Sequence, residues 1–193
     1  MTGSELLNRM VDPVRQIYAA DLEEPERWAR ISELLEAALS DPDLQAAART
    51  WPKSHDRTNN RYTNLLFYED PDFGFVVNGL VKDETGRTPV HDHGHAWVAY
   101  GLLEGAETVL RYQEPPAEGA PSGLKPDELI SLDAGEVDLV PPWTFHAEQA
   151  DTERTVALMV RSARVGKFAH RRLNPDTGET YDHPGPHQIP YDL

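Results

Sequence analysis

Over residues 4–49 the apolar positions recur at the three-to-four-residue spacing of an amphipathic helix: Leu6, Leu7, Met10, Val14 and Ile17, then Trp28, Ile31, Leu34, Leu35 and Leu39. The pattern predicts two or three helices. Ser4, Asp12 before Pro13, and Asp41 before Pro42 are their expected starts or breaks, because a short side-chain acceptor caps orphan amides and proline fits the first turn. After Trp51 the period changes. Short runs rich in β-branched and aromatic residues follow one another between turn residues: YTNLLFY, FGFVVNGLV, HAWVAYGLL, ETVLRY, ELISL, EVDLV and RTVALMV. Many short strands at close intervals predict a sandwich or barrel.

Segment 114–126 holds four prolines and two glycines, cannot continue a sheet ladder, and reads as an exposed loop between two halves of the barrel. The tail after Phe168, rich in Pro, Gly, His and Asp, is expected to be irregular. The chain thus divides into a helical extension (1–50) packing on a barrel (51–168), followed by a tail (169–193). No internal repeat interrupts this order.

Composition narrows the chemistry. The 193 residues, 39% hydrophobic and 26% charged, suit one compact domain with a core of its own. Acidic side chains outnumber Lys and Arg by 33 to 18, a formal charge of -15 spread along the chain, which repels phosphate backbones and anionic lipid. Neither nucleic acid nor a membrane is an expected partner. Without cysteine there is no disulfide framework, thiolate ligand or cysteine nucleophile, so any metal must be held by nitrogen and oxygen. The N-terminus shows no signal-peptide core and no later apolar run approaches membrane-spanning length, and a cytoplasmic location is expected.

The candidate chemistry lies in residues 88–105, TPVHDHGHAWVAYGLLEG. Side chains alternate faces along an extended strand, so His91 and His93 point one way and Asp92 the other. Two imidazoles on one face chelate one ion, and neutral imidazole suits transition metals where magnesium and calcium prefer oxygen. A second segment, GEVDLVPPWTFH (135–146), joins a glycine turn, an apolar strand and a proline pair to His146, which would arrive from a distant strand to complete a facial three-histidine site. His95 continues the alternation. A place around the metal is expected for it, since a rise of ~3.3 Å per residue sets it about 6.6 Å beyond His93. Trp97 and Tyr100 are expected in the core, Trp143 and Phe145 beside the ligands, and His170, His183 and His187 in solvent or local hydrogen bonds.

These two segments resemble the motifs of the cupin superfamily: His91, His93 and Gly105 match the first, and Gly135, Pro141 and His146 the second. The resemblance implies a double-stranded β-helix, or jelly-roll, barrel preceded here by α-helices. Trp97 and Val98 stand where many cupins place a glutamate ligand, which leaves three neutral histidines and up to three open positions on the ion. An all-histidine iron site of this kind is similar to that of the thiol dioxygenases, exemplified by cysteine dioxygenase and 3-mercaptopropionate dioxygenase. The similarity spans residues 62–178 and includes Pro89-Val90-His91-Asp92-His93 and Gly101-Leu102-Leu103-Glu104-Gly105. It implies Fe(II) as cofactor, with a small chelating substrate and O2 as partners.

Two departures bear on substrate. Tyr62 and Asn64 share a strand face as the family's tyrosine and substrate-gripping arginine would, but the arginine is replaced, although Arg57 and Arg61 lie nearby. Ala157, Met159 and Arg161 stand where the family has serine, histidine and tyrosine. Arg161 could supply the positive group if it faces the cavity. Two rivals share the barrel: a Zn, Mn or Ni cupin acting as a Lewis acid in isomerisation or hydrolysis, and a cupin that binds a small ligand without turnover.

Overall fold

The computed structural model describes residues 2–53, 55–56, 61–115 and 123–193, with the backbone alone at 55–56 and 61–63. The helical pattern becomes α1 (Gly3–Ala19), α2 (Glu24–Leu39) and α3 (Pro42–Ala48). Thr2, rather than Ser4, caps α1: its hydroxyl accepts from Glu5 N while the Glu5 carboxylate accepts from Thr2 N. Pro13 lies inside α1 instead of breaking it. The buried stripe of Leu6, Met10 and Val14 runs straight through it, and that burial outweighs one missing amide donor. Asp41 caps α3 as its position before Pro42 requires, accepting from Asp43 N at 2.9 Å.

The strands in chain order are β1 (His55–Asp56), β2 (Arg61–Glu69), β3 (Val76–Lys82), β4 (Gly86–Arg87), β5 (Val98–Glu104), β6 (Ala106–Tyr112), β7 (Glu128–Asp133), β8 (Val137–Val140), β9 (Phe145–Ala150), β10 (Thr155–Arg161), β11 (His170–Leu173), β12 (Thr180–His183) and β13 (His187–Pro190). One sheet runs β1-β2-β3-β10-β5-β8 with β13 beside β2, and the other β4-β9-β6-β7. Facing orders of β3-β10-β5-β8 and β4-β9-β6-β7 are those of an eight-stranded jelly roll. The chain is therefore a mainly β, cupin-type double-stranded β-helix with three N-terminal helices among the described residues. None of those helices is long and apolar enough to cross a membrane.

Strand alternation sorts each side chain to the barrel interior or the outside. On β10, Val156, Leu158 and Val160 join the cluster that the helices cover, with Trp28 stacked on Trp97 at 6.2 Å between centroids. Ala157 and Met159 face the interior with Tyr100 and Leu102, and by the same alternation so does Arg161. The interior is consequently apolar around Leu102, Ala157 and Met159 and carries a charge where Arg161 lies.

One expectation fails, and one strand is absent from the runs read in the sequence. β9 is hard to see in the sequence because its inward positions carry His146 and Glu148, inverting the usual polarity. The tail expected to be irregular forms β11 and β12, which pair with each other, and β13, which pairs parallel with β2. β9 and β13 draw their stability from partners far along the chain, so their own composition need not look β-like. The loop at 114–126 is irregular where described, and 116–122 lie outside the described residues.

Candidate metal centre

His91 and His146, 55 positions apart, are locked as antiparallel bridge partners: each backbone N–H donates to the other's carbonyl at 2.9 Å. His91 also bridges Arg172, while Asp92 N donates to Arg171 O at 3.0 Å and Leu173 N to Val90 O at 2.9 Å. β11 thus flanks the HxH segment, and the tail builds one wall of the site. Asp92, pointing away from the histidines as alternation requires, is fully buried and accepts from Arg171 Nε at 2.6 Å, Arg171 N at 2.8 Å and Gly94 N at 3.1 Å. Those three donors hold the HDH segment in shape.

The imidazoles of His91, His93 and His146 converge. Their ligand nitrogens lie within 4.8 Å of one another and their ring centroids 4.6 to 5.1 Å apart. His91 Nδ1 lies 2.9 Å from Pro89 O and His146 Nδ1 3.0 Å from Thr144 O. A carbonyl only accepts, so each Nδ1 carries a proton and Nε2 is the nitrogen left to the interior. His146 Nε2 and His93 Nδ1 are buried without hydrogen-bond partners. Buried orphan nitrogens are costly unless something completes them. Neutral imidazoles converging on one point fit a divalent transition metal.

Burial also pushes the His91 imidazole down to about 4, with His146 and His170 adding to the effect against Glu148 and Pro89 O, and drives His93 well below the ordinary range. His170 is pushed to about 4 in the same way, with Arg161 contributing. In the unfolded chain each titrates near 6.5. Between pH 6.5 and 4 the unfolded chain therefore holds more protons than the native one, so stability rises with pH across that window and is lost as pH falls through it. Thermal midpoints of the metal-free protein should drop steadily from pH 6.5 to 4, with a shallower slope in His170→Asn; equal slopes in the two proteins would contradict this.

The structure corrects several expectations around the triad. The extended segment stops at His93: Gly94, at φ 55°, turns the chain, and β5 starts only at Val98. His95 is carried to the surface against Phe168, 4.7 Å between centroids, and takes no place around the metal. Phe145 points away from His146 into the cluster with Leu110 and Tyr112, and Trp143 is half exposed with the Arg171 guanidinium 5.1 Å over its ring. Neither lines the ligand side. His170 is buried rather than solvated, its Nδ1 3.1 Å from Asp92 O and its ring 5.9 Å from that of His93. Arg57 and the side chains of Arg61 and Tyr62 lie outside the described residues.

Arg161 does reach the interior. It is 6% exposed, and among the described residues its Nε has no partner and its Nη2 meets only the Met159 sulfur at 3.2 Å. Burial lowers it to about 10, with Glu148 and Tyr100 opposing, so it stays charged at neutral pH. Asn64 is buried with its amide nitrogen unpaired. The sequence reading missed Glu148, whose Oε1 lies 3.4 Å from His146 Nε2 and whose Oε2 accepts from Thr88 Oγ1 at 2.7 Å. It also missed the buried network deeper in the barrel, where Glu107 accepts from Lys82 Nζ at 2.7 Å and from Tyr100 OH at 3.0 Å. Alternation from His146 would have found Glu148 once β9 was recognised.

No protein-family model matches this sequence, and no curated protein does. Solved structures do share its shape. A cupin 2 conserved barrel domain protein from Rhodopseudomonas palustris is 18% identical, with 58% of this chain and 66% of that one covered at a TM-score of 0.44. The cupin domain of Schizosaccharomyces pombe Cnp3 is 12% identical over 51% of this chain and 61% of its own, TM-score 0.40. Hydroquinone 1,2-dioxygenase PnpCD, in complex with Cd2+ and 4-hydroxybenzonitrile, is 15% identical over 76% and 74%, TM-score 0.44. The chain spans less than two thirds of the length of the first two. The barrel rests on its own strand order rather than on these likenesses.

Proposed function

We propose that this chain is an iron(II)-dependent dioxygenase of the cysteine dioxygenase-like kind, acting on a small metal-chelating molecule, with thiol acids as the first candidates. The reading is carried by one observation: three imidazoles converge on one point inside a barrel that also buries a guanidinium with no carboxylate partner among the described residues. Bound iron would supply the redox chemistry between substrate and O2, and the protein the geometry and a dry pocket.

The residues divide the remaining work. His91, His93 and His146 hold the ion, with two of them fixed in tautomer by Pro89 O and Thr144 O. Arg161 binds and orients the substrate's carboxylate, which in turn neutralises a charge otherwise buried alone. Asn64 offers its unpaired amide nitrogen as a further donor, and Tyr62 is given the role that the resemblance implies. Leu102 and Met159 exclude water from the inner side.

Metal content of the purified protein, followed by an oxygen-electrode screen of thiol acids and other small chelators, tests this. Oxygen uptake should depend on added Fe(II) and vanish in His91→Ala. Normal turnover by that variant, or zinc, manganese or nickel bound without oxygen uptake, would replace the reading with the Lewis-acid one.

A further inference from the structure

We propose that a cavity between the edges of β7 and β8 binds a small uncharged amide or hydroxyl group, which accepts a hydrogen bond from Arg111 and donates one to Asp138. Among the described strands β7 pairs only with β6 and β8 only with β5, so no ladder joins the two edges. The cavity there measures about 410 Å³ and is lined from β6 by Arg111, from β7 by Ile130 and from β8 by Asp138 and Leu139. Thr144 lines it too, and because Thr144 O lies 3.0 Å from His146 Nδ1, the cavity abuts the turn that carries His146. None of the three histidines is among its lining residues.

Both polar groups are built into the barrel. Arg111 is the cross-strand partner of His146, and Asp138 that of Tyr100; residues directly opposed in a ladder share a face, so both start from the inner face of their strands. Two sheets thus bring a guanidinium and a carboxylate together, with Arg111 Nη2 2.5 Å from Asp138 Oδ1. The residues are 8% and 7% exposed. Their pairing is half used: Arg111 Nη1 is buried with no partner, and Asp138 Oδ2 has no hydrogen bond among the described residues. An unmade bond on a buried charged donor is costly, and something that supplies an acceptor relieves it.

Charge decides the class of ligand. Arg111 and Asp138 balance each other, and the exposed Asp127 and Glu128 add two negative charges to the lining. A carboxylate or phosphate would meet those acids on entry and then set a second anion beside Asp138 with one cation to share. An ammonium brings donors alone and would leave Arg111 Nη1 unpaired. A primary amide or a hydroxyl brings an acceptor for Nη1 and a donor for Oδ2, with no charge to desolvate. Ile130 and Leu139 supply apolar walls for a short hydrocarbon stem, the usual make-up of a small-molecule site with a few placed polar groups.

Three planar molecules of one size test this: acetamide, which is neutral, acetate, an anion, and acetamidinium, a cation. Each is titrated into the full chain while the Ile130 methyl and Arg111 Nε–Hε signals are followed by NMR. Acetamide should shift both and bind about tenfold or more tightly than either charged molecule, the worth of one hydrogen bond to a charged group. Equal or tighter binding of acetate or acetamidinium, or the absence of shifts at Ile130 and Arg111 with all three, overturns the proposal. Arg111→Met combined with Asp138→Leu removes both partners at once, which a fold tolerates better than the loss of one. That double variant should lose the acetamide response, and an undiminished response overturns the site. If it does not fold, Ile130→Trp, which fills the cavity, takes its place with the same two outcomes read at Arg111.

Discussion

Replacing His146 with alanine is expected to abolish tight binding of a divalent metal, lowering affinity by well over 100-fold, because a direct ligand is worth more than the outer partners whose loss brings 10- to 100-fold. The variant should still fold. The backbone bridge between His91 and His146 involves no side-chain atom, and removing an imidazole that has an unpaired buried nitrogen removes a cost as well as a contact. Thermal unfolding with and without metal separates the two effects. A ligand at 100 times its Kd adds ~2.7 kcal/mol of stability, which for a domain of this size is about 5–10 °C in the midpoint. The unaltered protein should show that rise and His146→Ala should show none; an equal rise in both would remove His146 from the centre.

The second large effect is expected at Arg161. Arg161→Met should lower kcat/KM for a carboxylate-bearing substrate by roughly 100-fold, the value of a desolvated charge-assisted pair, mostly through KM. Stability should move the other way. A buried guanidinium whose partners among the described residues amount to one thioether sulfur is a destabilising feature of the free protein, so a similar-sized apolar side chain should leave the thermal midpoint unchanged or raise it. Unchanged KM together with a lower midpoint would mean that the charge serves the fold and not the substrate. A neutral chelating substrate provides the control, since its turnover should be indifferent to the substitution.

Different parts of the site were legible in the sequence to different degrees. His91 and His93 could be read because their pairing is a local matter of two residues on one extended segment, and His146 because its turn and proline spacing travel with it. The boundary of that local rule is Gly94. One residue at positive φ ends the alternation, which is why His95, on the same face by counting, lies outside the barrel. Phe145 was placed by its nearness in sequence to His146, although adjacent strand residues face opposite sides. His170 was judged by the polar company it keeps in the tail, whereas its ring is held at Asp92 O, 78 positions away, which its neighbours in sequence do not reveal.

What the sequence by itself determined is that short strands close into a sandwich or barrel and that imidazole nitrogens gather at its candidate metal centre, since strand alternation, turn residues and imidazole chemistry act over a few residues. Only the tertiary structure decided what surrounds that point. Glu148 meets His146 Nε2 because β9 carries both inward beneath Thr88, and Arg161 is buried because β10 lies between β3 and β5. The register between strands fixes such meetings, and register is set by packing the whole barrel at once.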